Sequence, residues 1–132
     1  MEKKDPIEEA RRYVANAKTL LKEHGELNTD TQCYGDAKYV RMAGDTMWKG
    51  CLIALDAAFG VRQKAKKGQR VGIDDYKAAV AARDKKLLQF VNSGYTIMHL
   101  NMGYDGVPAK GATDTGFRLA TEIIDRCAEL IK

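Results

Sequence analysis

Residues Ala37 to Val61, most of them in the run KYVRMAGDTMWKGCLIALDAAFGV, read as one helix that is apolar on two sides. At about 100° per residue, Ala43, Gly50, Ala54, Ala57 and Ala58 fall on a face of small residues. Trp48, Leu52, Leu55 and Phe59 form a face of large residues roughly 150° away around the same helix. Only a thin polar stripe, Lys38, Asp45, Lys49 and Asp56, is left for water. A helix wetted along one whole side does not have this pattern. It has to be covered twice, by its own domain and, where that does not suffice, by a second subunit. Gly50 in mid-helix costs ~1 kcal/mol relative to alanine, which predicts close approach of a neighbouring helix on the small face.

The rest of the chain supplies helices to do the covering. Asp5 followed by Pro6 is an N-cap acceptor with proline at the first helical position. It opens a helix to about Glu23, with Ile7, Ala10, Val14, Ala17 and Leu21 inward and Gly25 as its stop. Residues 25–35, GELNTDTQCYG, are turn formers and read as a loop. A third helix is expected from Ile73 to about Leu100, with Tyr76, Val80, Leu87, Val91, Tyr95 and Met98 as its stripe. After a glycine-punctuated loop, a last helix capped by Thr113 or Asp114 places Phe117, Ala120, Ile124, Cys127 and Ile131 inward. No segment alternates with period two, so no sheet is expected. Four amphipathic helices with short-to-medium loops imply an all-α, antiparallel up-and-down four-helix bundle, one domain over residues 1–132.

Composition excludes several classes. With 45% hydrophobic and 30% charged residues the chain is not of disordered type. A formal net charge of +4 does not by itself argue for nucleic acid. Cys33, Cys51 and Cys127 are an odd set without CxxC spacing, and the two histidines show no ligand spacing with them, so neither a zinc site nor any other metal or cofactor is expected. Cys51 and Cys127 read as buried small hydrophobes, Cys33 as a loop thiol. A reduced, cytoplasmic setting is the simplest expectation. The start, MEKKDPIEEARR, lacks the apolar segment of a signal peptide, and no apolar run approaches the ~20 residues that span a bilayer.

Three sets of residues are candidates for function. The linker between the second and third helices carries Lys64, Lys66, Lys67 and Arg70 with no acid among them, an anion-binding composition whose bland counterpart is a solvated loop. No aromatics interleave with these cations, as a single-strand binder would want. Residues 99–114 gather His99, Asn101, Tyr104, Asp105 and Lys110 near a helix N-terminus, where anions bind readily. The order Lys110-Gly111 after a helix is not the phosphate loop, which needs lysine after its second glycine and a preceding strand. His99 is the one sensible general base, but no nucleophile stands beside it, and no catalytic residue is assigned. Glu8–Arg12 and Asp45–Lys49 read as surface i,i+4 pairs, and there is no Glu-x-x-His for a di-metal bundle. The large face of the second helix, Trp48, Leu52, Leu55 and Phe59, is the candidate dimer interface.

The first two helices, IEEARRYVANAKTLLKE followed by YVRMAGDTMWKGCLIALDAAF, resemble small bacterial HEPN-like helical bundles. The likeness is closest to an uncharacterised domain-of-unknown-function family of such bundles. It rests on the alanine-spaced first helix, the aromatic and small residues of the second, and its segment Ala54-Leu55-Asp56-Ala57. The resemblance implies a homodimer; some relatives of this type are RNases and others bind nucleotides or protein partners. The RNase branch carries arginine followed four to six residues later by histidine near the start of the last helix, and this chain has no such pair. The resulting expectation is a non-enzymatic, homodimeric binding or assembly module, away from membranes. The alternative is a nucleotide- or RNA-binding module of a toxin–antitoxin-type system.

Overall fold

The computed structural model describes residues 5–132; Met1–Lys4, part of the charged start, lie outside them. The described chain is mostly helical. Its elements are α1 (Pro6–His24), a hairpin of β1 (Leu27–Asn28) and β2 (Cys33–Tyr34), α2 (Ala37–Phe59), a short α3 (Val61–Lys64), α4 (Ile73–Ala81), α5 (Lys85–Gly94), a π-helix (Tyr95–Tyr104) and α6 (Lys110–Ile131).

α2 is the central rod, and α1, α6 and the π-helix all pack on it. α1 lies on the small face: a Cβ built on Gly50 would stand 2.9 Å from the Ala10 carbonyl oxygen and 3.1 Å from Tyr13 Cβ. The close approach predicted for this glycine is therefore made by α1. The large face meets the π-helix, where Tyr95 packs on Trp48, and α6 also packs on α2, all within the same chain, leaving Trp48, Leu55 and Phe59 buried. Both coverings come from one subunit. The expectation that the large face needs a partner is corrected; of the four candidate interface residues only Leu52 keeps partial exposure.

Several segments differ from the sequence reading. The expected single helix over 73–100 is broken after Ala81. Asp84 restarts it by accepting from the Leu87 N–H at 3.0 Å, and Arg126 of α6 grips both oxygens of that carboxylate at 2.7 and 3.1 Å. Val80 and Leu87 stand one heptad apart, so helical periodicity runs straight through the break and conceals it. The expected long loop after Leu100 is π-helical to Tyr104, with the Asp105 N–H donating to the Leu100 carbonyl at 2.9 Å. α6 starts at Lys110, with Ala109 at its N-cap position, rather than at Thr113 or Asp114. Thr113 is instead buried, its hydroxyl donating to the Lys110 carbonyl at 2.9 Å.

The segment 25–35 is a small antiparallel hairpin, not a loop, with Leu27 paired opposite Tyr34 and Asn28 opposite Cys33. Asn28 Oδ1 shapes its turn by accepting from the N–H groups of Asp30 and Thr31 at 2.9 and 3.1 Å. The Lys110 N–H donates to the Gln32 carbonyl and the Tyr34 N–H to the Pro108 carbonyl, both at 2.9 Å, which fastens the hairpin to the start of α6. Strands of two residues are too short to alternate detectably.

Candidate functional site

The hairpin helps to line a depression on the surface. It bridges α1 and α6, and the space between the three is a groove of about 580 Å³. Leu21, Leu27, Tyr34 and Phe117 form its apolar floor, with Ala15 and Thr19 on the α1 wall. The cross-strand pairing sets Leu27 and Tyr34 side by side, so both present to the groove. Leu27 is 37% exposed, a large apolar side chain left uncovered there.

The rim is cationic. Lys18 and Lys22, one helical turn apart on α1, line the groove, and the Lys18 ammonium stands 5.6 Å from the centroid of the Phe117 ring across it. Neither lysine has a carboxylate within ion-pairing distance among the described residues. The one carboxylate in the wall, Asp114, is taken by Lys110 at 2.6 Å, and that pairing holds the Lys110 ammonium above its ordinary pKa. A second depression, of about 560 Å³ between α5, α6 and Arg11, shows the contrast. There Arg11 pairs with Asp125, Arg126 with Asp84 and Lys132 with Glu129. Its charges largely satisfy one another; those of the groove do not.

The residues expected from the sequence are distributed differently. His99 sits on the π-helix, stacked on Tyr95 with ring centroids 5.2 Å apart, and Tyr95 in turn meets Trp48 edge-on at 5.8 Å. The carboxylate nearest to it is Asp45, 3.9 Å from its Nδ1 and so beyond hydrogen-bonding reach. Asp45 faces His99 rather than forming the expected ion pair with Lys49, and Arg12 pairs with Glu9 rather than Glu8. Tyr104 and Asp105 contribute backbone carbonyls to Arg41, at 3.3 and 3.5 Å, and Asn101 a carbonyl to the Val107 N–H at 2.8 Å. Lys110 is on the hairpin side, held by Asp114. No side-chain hydrogen bond or ion pair among the described residues joins any two of these five. His24, at the end of α1, stacks on Tyr39 with centroids 4.9 Å apart.

Lys64, Lys66, Lys67 and Arg70 are all exposed and carry no ion pair among the described residues. Their neighbour Arg62 is engaged: its side-chain N–H donates to the Tyr76 hydroxyl at 3.1 Å, and that hydroxyl donates to Asp56 at 2.8 Å. Burial, together with the bond to Asp56, pushes the Tyr76 phenol up to about 12. This network ties the end of α2 to α3 and α4. Burial likewise raises the thiols of Cys51 and Cys127, the latter to about 12, as expected of inert core residues. Among the described residues no three His, Cys, Asp or Glu side chains gather to hold a metal, and no helix is long and apolar enough to cross a membrane.

Sequence reasoning missed the groove, although one signal pointed to it. Lys18 and Lys22 are like charges at i,i+4, an arrangement that costs a few tenths of a kcal/mol in an isolated helix. Without the hairpin there was no second wall to set beside them.

The chain is similar to a protein of unknown function from Dyadobacter fermentans, with 38% identity over 96% of both chains and a TM-score of 0.85. No curated protein matches it. Residues 5–129 match the family described as Domain of unknown function (DUF5618). The chain belongs to that family of uncharacterised helical proteins.

Proposed function

We propose that this protein acts by binding, as a recognition or assembly module on a HEPN-like four-helix bundle. In this reading α1, α2, the composite rod of α5 and the π-helix, and α6 are the four members; α3 and α4 are insertions in one connection. The pattern of packing among these four supports it. The observation that carries the functional reading is the groove between α1, the hairpin and α6, an apolar floor lined by two lysines without carboxylate partners among the described residues. Its size lies in the range of small-molecule sites, roughly 300–1,000 Å³. The alternative, nucleotide or RNA binding by Lys64, Lys66, Lys67 and Arg70, rests on charge alone, whereas the groove adds shape to charge.

The neutral dye Nile red tests this on the full chain. It fluoresces on entering an apolar site whatever the charge around it. The native protein is expected to enhance its fluorescence saturably, and Ala15→Trp, which fills the groove from an exposed helix position, to reduce the enhancement several-fold with the far-UV spectrum unchanged. No enhancement by the native protein, or equal enhancement by the variant, would overturn the reading.

A further inference from the structure

Resting on that binding reading, we infer that the groove takes an anionic amphiphile: a compound with one carboxylate head and an apolar tail. Three observations converge on this class. The floor of Leu21, Leu27, Tyr34 and Phe117 offers a tail mainly apolar contact. Lys18 and Lys22 line the same groove, and neither forms an ion pair with a carboxylate among the described residues. Asp114, which would repel an anionic head, is neutralised by Lys110 at 2.6 Å.

The charges are also placed where a head group would lie. The Lys18 ammonium stands 5.6 Å from the Phe117 centroid, at the boundary between rim and floor. A carboxylate there sits between two cations one helical turn apart and relieves their mutual repulsion, while the tail covers Leu27. Lysine suits this task, since its ammonium is a mobile point charge that reaches a head group without fixed fork geometry. A cationic amphiphile would meet the same floor but a repulsive rim. Selectivity between two ligands of equal tail length is therefore the property that separates this assignment from simple stickiness.

The experiment displaces Nile red from the full chain with dodecanoate or with dodecyltrimethylammonium, both below their micelle concentrations at pH 8 and low salt. Two exposed ion pairs give dodecanoate a preference of roughly tenfold. Lys18→Glu with Lys22→Glu is expected to reverse that preference with dye binding retained; Lys18→Gln with Lys22→Gln, the milder variant, should abolish it. Equal displacement by the two amphiphiles overturns the assignment of an anion while leaving the groove a binding site. Displacement by neither overturns an amphiphile as the ligand. Dye fluorescence that falls as protein concentration rises makes a second copy of the chain the occupant and likewise overturns it. Absence of dye binding at the outset is instead the failure of the binding reading itself.

Discussion

Gly44 shows how single positions decide the packing. A Cβ there would stand 2.5 Å from both the Met98 carbonyl oxygen and Met102 Cβ, and 2.8 Å from the Gly103 nitrogen. Two of these three neighbours are backbone and cannot swing aside, so the π-helix reaches α2 only because this residue lacks a side chain. Gly44→Ala is expected to cost about 3 kcal/mol by overpacking, despite alanine's higher helix propensity. Gly111, where a Cβ meets nothing within 4 Å, is the control: Gly111→Ala should be neutral or slightly stabilising. Urea denaturation of the two variants checks both, and a Gly44→Ala protein as stable as the native one would refute the close approach. Gly50 was readable as a contact glycine because it stands in mid-helix on the small-residue face. Gly44 was not, since its partner is a π-helix that periodicity did not reveal.

At the scale of elements, the break between α4 and α5 is held by one carboxylate. Asp84 caps α5 through the Leu87 N–H and accepts two bonds from Arg126, and that guanidinium is the largest influence lowering the Asp84 pKa, partly offset by burial. The stability this brings is present above the ordinary aspartate pKa of 3.8 and is lost as pH falls through the lower folded value. Asp84→Asn retains a capping oxygen but loses the charge. It should cost about 1.5 kcal/mol at pH 7, and the difference from the native protein should shrink below about pH 4. Thermal melts of both proteins from pH 7 to pH 2 measure this; a difference that stays constant throughout would mean the carboxylate's charge is irrelevant. The helix stripes were legible element by element. The break was not, because the bond that fixes it comes from Arg126, 42 positions away.

For the molecule as a whole, the question is what covers the large face of α2. Trp48 is 5% exposed and Leu55 fully buried within one chain, so this face belongs to the core. Trp48→Asp is therefore expected to destabilise by about 4 kcal/mol or more and to abolish near-ultraviolet ellipticity, because a charge would be buried among Tyr95 and its neighbours. Sedimentation combined with circular dichroism distinguishes the outcomes. A variant that sediments as a well-folded monomer where the native protein is a dimer would restore the interface on this face.

The sequence by itself determined the helical class, the cap at Asp5, the stop near Gly25 and the demand that α2 be covered on two sides. These follow from interactions within a few residues: side-chain periodicity, capping hydrogen bonds and the missing Cβ of glycine. Tertiary structure alone decided which segments do the covering, where the third rod breaks, and that a two-residue-wide hairpin holds α1 and α6 around a groove. Each of those outcomes depends on groups brought together from distant parts of the chain. Lys18, Leu27, Tyr34 and Phe117 share no local pattern, and they become one surface only when the hairpin is bonded to the start of α6.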